Sequence, residues 1–260
     1  MSEVTPEQGL ALALEDGLAT VTLALPRPKN AFRAEDARRL GELLQQALVG
    51  GARCVVLRGA GDSFCAGWDV TSIRPGQDDP VAMIEEVVGP LLRQLRELPV
   101  PTVSVVRGAA LGFGFGLALA CDLCIAEEGA LFGSPFRAIG MVPDSGTHYF
   151  LRERLGAALA AELVFTGRLL KGAEAAQLGL VNRALPDSEL DAVADALARD
   201  IARGPTAALR LSKEILLAGG DFDAVLAHEA RQLRAVFATA DLREGLAAFQ
   251  QRRKPAFSGR

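Results

Sequence analysis

Apolar residues dominate positions 10–25 and are interrupted at Asp16-Gly17, a dipeptide that favours a tight hairpin turn, so two antiparallel strands are predicted there. Pro26 and Pro28 stop the sheet pattern. Over residues 34–48 the spacing turns helical, with Ala37, Leu40, Leu44 and Leu48 on one stripe. The run 54–57 reads as a short buried strand that ends at Gly59-Ala60-Gly61. Residues 81–98 predict a second amphipathic helix, closed by Pro99 and Pro101. Further short strands are predicted over 102–106, 123–126 and 130–132.

Alternating strands and helices up to about residue 132 indicate an α/β class with crossover units. From residue 190 the pattern changes to helices alone, over 190–201, 206–217, 222–237 and 241–250. They are separated by Gly204-Pro205, Gly219-Gly220 and Thr239-Ala240-Asp241. Apolar positions on several faces of these helices imply packing on the main body or on a partner. The segment 73–81, rich in Gly, Pro and Asp, reads as a loop.

Composition narrows the function. The chain has 260 residues, 50% of them hydrophobic, and a formal net charge of -4, which suits a large core and no nucleic-acid partner. The basic tail Gln251-Arg252-Arg253-Lys254 suits a solvated helix end or an anionic ligand. Cys54, Cys65, Cys121 and Cys124 lack metal-ligand spacing with His148 and His228, so buried thiols are expected rather than zinc or redox chemistry. The N-terminus shows no leader-like pattern, and the apolar run 111–126 is too short and too interrupted to span a membrane. A cytoplasmic protein with no membrane partner is expected.

Candidate chemistry lies in three stretches. Gly108-Ala-Ala-Leu-Gly112-Phe-Gly114-Phe-Gly116 lacks both the dinucleotide fingerprint and the lysine of a phosphate loop. Its spacing leaves two readings open: close backbone packing, or a helix start whose free N–H groups meet negative charge. Phe64-Cys-Ala-Gly-Trp-Asp69 follows a buried strand. Met141-Val-Pro-Asp144-Ser-Gly146 carries a carboxylate within residues that equally suit a turn.

In order along the chain these stretches resemble the signatures of the crotonase (enoyl-CoA hydratase/isomerase) superfamily. So do Thr166-Gly-Arg168, the run 175–182 and the early turn Pro26-Arg27-Pro28-Lys29-Asn30-Ala31. The resemblance spans about residues 10–260. It implies a crotonase-like spiral of ββα units over residues 1–189, binding an acyl-CoA thioester. It also implies a helical trimerisation region over 190–260, giving a homotrimer or a dimer of trimers. An oxyanion hole follows from it, made by the backbone N–H groups of Trp68 and Phe113. Ala66, Gly67, Phe115, Gly116, Phe136 and Met141 would form the substrate pocket, which the Phe113 ring would narrow. Arg27, Lys29 and Lys254 are candidates for the coenzyme A phosphates. No metal or separate cofactor is implied, coenzyme A being part of the substrate.

Family hydratases place two glutamates where this chain has Gly116 and Phe136. Hydration needs a water held between two carboxylates, so the resemblance points instead to isomerases that use one acid at the Asp144 position. These shift a 3-enoyl-CoA double bond or rearrange a ring-epoxide acyl-CoA, as in phenylacetate degradation. Phe113, Phe115, Phe132, Phe136 and Met141 are expected to keep that acid dry. The rivals are hydratase-like activity, a dehalogenase with His148 nearby, a ring-closing synthase using Tyr149, and a non-catalytic acyl-CoA-binding member.

Overall fold

The computed structural model describes residues 9–260, so the opening eight positions of the expected core, with the N-terminal reading made on them, lie outside the described residues. The predicted hairpin forms from β1 (Gly9–Glu15) and β2 (Leu18–Ala24). Asp16 and Gly17 both take left-handed φ, as the turn requires. A turn at Pro28–Asn30 leads to α1 (Ala34–Val49), whose Ala37, Leu40, Leu43, Leu44 and Ala47 are buried. Strand β3 (Cys54–Gly59) follows. The second amphipathic helix is continuous but changes pitch: α2 (Pro80–Ala82), a π-helical stretch Met83–Val88, then α3 (Gly89–Arg96).

Next come β4 (Thr102–Val106), β5 (Ala109–Leu111) and α4 (Phe113–Leu119), then β6 (Leu123–Glu127), β7 (Leu131–Gly133) and α5 (Thr147–Thr166). Helix α5 is interrupted at Gly156. The pairs β4–β5 and β6–β7 split between two sheets, so each unit puts one strand in each sheet and then a helix. The large sheet has the order β1-β2-β3-β4-β6-β9 and the small one β5-β7-β8, with β8 at Leu170–Lys171 and β9 at Arg183–Leu185. From β2 to β9 all pairings of the large sheet are parallel. This is the expected spiral of ββα units.

The pleat sorts the core. Val55 and Leu57 face α1 and α3, whereas Cys54 and Val56 face the opposite layer. After α6 (Gly172–Gln177), that layer is supplied by α7 (Asp187–Arg203). Leu190, Ala194, Ala198 and Ala202 recur every fourth residue and are fully or almost fully buried against Val56, Val103 and Ile125. Small alanines let the helix lie close to the sheet. Acids on the same helix pair with strand-end arginines: Arg58 with Asp195, and Arg107 Nε with Asp187 at 2.6 Å. The first helix of the all-helical end therefore covers the sheet.

Beyond it lie α8 (Thr206–Ala218), α9 (Phe222–Val236) and α10 (Ala240–Gln250). Helix α8 is anchored by Lys213, 7% exposed, whose Nζ donates to Asp122 Oδ2 at 2.8 Å and to the Val100 carbonyl at 3.2 Å. Helix α9 buries none of its residues.

Candidate active site

The site gathers where the large sheet's strand ends meet the small sheet. The loop after β3 returns beside the early turn because Asn30, buried, donates its amide to the carbonyls of Ala60 (3.1 Å) and Ser63 (2.8 Å). Cys65 then bridges to Ala110, extending the small sheet, and Trp68 bridges to Phe32. In that second bridge Phe32 N–H donates to the Gly67 carbonyl and Asp69 N–H to the Phe32 carbonyl. Strand alternation turns the Trp68 N–H the other way, and it has no acceptor among the described residues.

Phe113 opens α4, so its N–H belongs to the unsatisfied first turn, and it too has no acceptor among the described residues. The two donors are neighbours. A Cβ built on Gly67 would stand 3.7 Å from the Phe113 nitrogen, and the Trp68 and Phe113 rings meet edge-on at 5.4 Å.

The alternating glycines of α4 serve close packing. A Cβ on Gly114 would overlap the Cys65 carbonyl, and one on Gly116 would overlap the Ser145 carbonyl and lie 2.9 Å from the Ser145 Cβ. Gly116 is one helical turn, about 4.5 Å of rise, beyond Phe113. The Pro143–Gly146 turn is thereby pressed onto the first turn of α4 and brings Asp144 with it.

Asp144 is half-buried. Its carbonyl accepts from Thr147 N–H at 2.9 Å, and its Oδ1 accepts from Ser145 Oγ at 2.8 Å. Oδ2 has no partner among the described residues. Burial pushes the carboxyl above the usual carboxylate range, and the Ser145 hydrogen bond partly opposes that rise. The loop before it is clipped at its base by a 2.8 Å hydrogen bond between the buried hydroxyls of Ser134 and Thr147.

Several pocket expectations need correction. The Phe113 ring is 1% exposed and packs on Phe32 (5.0 Å between centroids) and Trp68, so it is turned into an aromatic cluster and does not narrow an open pocket. Phe115 is fully buried and, with Phe132, lines a cavity of ≈ 10 Å³, so it is core and not pocket wall. Met141 is 41% exposed, between Ile139 and Val142, both more exposed still, and does not enclose the acid. Phe136 does lie at the site: its ring carbons come 3.1–3.2 Å from where a Gly112 Cβ would stand, at the cap of α4. Ala66 is half-buried and Gly67 buried beside the donors.

Of the basic candidates, Arg27 is already engaged. It ion-pairs with Asp36 and donates to the Ala31 carbonyl at 2.7 Å, which fixes the entry to α1 and leaves no free charge for a phosphate. Lys29 is exposed, and its carbonyl accepts from Ala66 N–H at 2.8 Å, which puts it next to the donor loop. Lys254 belongs to the tail after α10. His148 and Tyr149 are exposed on α5, where Tyr149 takes the Arg96 guanidinium over its ring at 4.7 Å.

The four cysteines are free and buried, and burial pushes Cys65 up to about 12 and Cys124 up to about 11. No group of three or more His, Cys, Asp or Glu side chains could hold a metal among the described residues, and no helix there is long and apolar enough to cross a membrane.

The family described as enoyl-CoA hydratase/isomerase matches residues 13–260. A probable enoyl-CoA hydratase of Rhodobacter capsulatus is 36% identical over 95% of this chain and 96% of its own length. The 1,2-epoxyphenylacetyl-CoA isomerase of Escherichia coli is 34% identical over 95% and 97%. Among solved structures, an enoyl-CoA hydratase from Bacillus anthracis superimposes with a TM-score of 0.91 at 31% identity, over 97% of this chain and all of that one.

Proposed function

The chain belongs to the enoyl-CoA hydratase/isomerase family, and within it we propose an acyl-CoA isomerase that works through one carboxylate, Asp144. The carboxylate removes a proton from carbon 2 of a 3-enoyl thioester, breaking that C–H bond as the electrons move toward the thioester oxygen. The negative oxygen rests on the amides of Trp68 and Phe113, each such donor contributing about 3–4 kcal/mol at the transition state. The same carboxyl returns the proton to carbon 4, which leaves the double bond at carbon 2. No atom is gained or lost, and coenzyme A enters as part of the substrate.

The observation that carries this reading is the contact between Gly116 and Ser145. The position where a second acid would serve hydration has neither a side chain nor room for one, and the turn that fills the space brings Asp144. The raised carboxyl further supports a proton carrier. Lys29 is the proposed phosphate contact. The four buried thiols suit a reducing, cytoplasmic setting. A ring-epoxide acyl-CoA is the second substrate reading, favoured by the Escherichia coli relative and by the wording of residues 139–146.

Exposed Phe222 on α9, Phe237 just after it and Phe249 on α10 support a homotrimer or dimer of trimers covered by these faces.

The test uses 3-hexenoyl-CoA, 2-hexenoyl-CoA and a ring-epoxide phenylacetyl-CoA, followed by absorbance and mass. Isomerisation without mass change is expected, and D144N should lower it about 10³-fold while thioester binding persists. Rapid addition of one water to 2-hexenoyl-CoA would overturn the proposal. Binding of all three esters with turnover of none would favour a non-catalytic member.

A further inference from the structure

We propose that Ser145 is the positioning residue of this site: its hydroxyl holds the Asp144 carboxyl by Oδ1 and leaves Oδ2 for the reacting carbon. The inference rests on Asp144 being the acid. Ser145 is 5% exposed and sits at φ 53°, in the left-handed region. There a side chain with a Cβ is strained, and glycine would not be. That backbone angle sets the serine hydroxyl beside the neighbouring carboxyl. The hydroxyl's one hydrogen bond among the described residues is to the carboxylate of the preceding residue, at 2.8 Å.

The surrounding backbone leaves the hydroxyl little else to do. The Ser145 carbonyl abuts Gly116, the Asp144 carbonyl is bound by Thr147 N–H, and the loop base is clipped at Ser134 and Thr147. With the peptide fixed on both sides, the freedom that remains to the acid is rotation of its own side chain. An O–H to carboxylate bond is among the stronger side-chain hydrogen bonds, and it removes that freedom. It also opposes the effect of burial, keeping more of the acid in the ionised form that accepts a proton.

S145A removes the hydroxyl and keeps the strain, whereas S145G removes both. Both variants, assayed beside D144N on 3-hexenoyl-CoA, should lose about 10-fold in kcat with KM within about 2-fold. The acid limb of the kcat–pH profile should move upward. S145G should melt no lower than S145A. A merely structural serine predicts the opposite pattern, a lower melting temperature with unchanged kcat and acid limb. That pattern, alongside an inactive D144N, overturns the inference and leaves the Asp144 reading standing. An active D144N overturns the Asp144 reading itself. Should 3-hexenoyl-CoA not turn over at all, carbon-13 NMR titration of the Asp144 carboxyl still decides: a rise in S145A supports the role, and an unmoved carboxyl sinks it.

Discussion

The candidate site and the C-terminal helices are stabilised in opposite ways. Around α4 the chain packs tightly on itself: glycines 114 and 116 let neighbouring carbonyls touch the helix, the Ser134 and Thr147 hydroxyls pair, and Phe113 is buried among aromatics. In α9 and α10 it does not. Phe222 is 76% exposed, Phe237 71% and Phe249 84%, more apolar surface than a solitary domain usually leaves to water. A region packed this tightly fixes geometry, which chemistry requires. A region with unspent apolar area supports the assembly proposed above.

The sharpest way to break the contrast is Gly116→Ala. Alanine favours a helix interior by about 1 kcal/mol over glycine, but here its Cβ collides with a backbone carbonyl that is held on both sides. We expect a net loss of about 3 kcal/mol, seen as a lower midpoint in denaturant, together with loss of isomerisation. Gly140→Ala is the control. Nothing stands within 4 Å of its Cβ, and only its φ of 70° resists, so it should cost about 1 kcal/mol. Equal costs at the two sites would show that the contact between α4 and the turn is slack.

The opposite region should respond in the opposite sense. Phe237→Lys leaves the folded protomer near its normal stability, because the side chain touches little within the chain, but it places a charge on the face proposed for assembly. Loss of about 2 kcal/mol per contact, or roughly 30-fold in association, is expected and is read by sedimentation at micromolar concentration. A wild-type protein that sediments as a monomer at those concentrations would remove the assembly reading.

A smaller effect separates function from stability within the site. The Asp144 carboxyl lies above its unfolded value because it is buried. The folded state therefore holds the proton more tightly than the unfolded state. The stability gained by protonation is present at low pH and is lost as pH rises through the window above about 3.9. At neutral pH the ionised acid is a cost, so D144N should raise the melting temperature by about 2–4 °C while abolishing turnover. For the same reason the acid limb of wild-type activity should lie above that of an ordinary solvent-exposed carboxylate. A melting temperature lowered by D144N would mean that the carboxylate supports the fold.

The two regions also differ in how far the sequence reveals them. The hairpin at Asp16-Gly17, α1 and the last four helices are legible, because period and punctuation agree locally. Helix α5 is not among the predicted elements: its apolar residues do not form one stripe, and Gly156 interrupts it. Strands β8 and β9, of two and three residues, carry no pattern of their own. In the candidate site, the proposed acid Asp144 is read from the order of motifs. The engagement of Arg27 is not legible, because its partner Asp36 lies on the next helix, a proximity that composition does not express. Phe115 is buried core and Met141 is exposed, so neither takes the expected pocket role, because helix rotation and loop path decide which apolar side chain is covered. Ser145 escapes notice for a related reason, since its role depends on a backbone angle.

The smallest expected effect lies at α10 and the tail after it, where the chain holds itself together by hydrogen bonds. Glu244 on α10 receives both Arg253 guanidinium nitrogens, at 2.5 and 2.8 Å, and the Ala256 N–H at 2.7 Å. The Arg253 hydrogen bonds and that amide hold its carboxyl down at about 2. Its folded value is depressed, so its contribution is present above the unfolded value of about 4.3 and is lost as pH falls toward 2. The pair lies at the surface, with Glu244 half-buried and Arg253 exposed, and solvent screens it, so E244Q should leave global melting within error. What it should change is local: the Ala256 amide exchanges faster with solvent, and the tail carrying Lys254 is cut more readily by protease. Asp241 anchors the same tail through the amides of Ser258 and Gly259, so the loosening should stop short of those residues. Faster exchange at Ser258 and Gly259 as well would mean that the tail docks as one unit through Glu244, and that its attachment is as cooperative as the packing around α4.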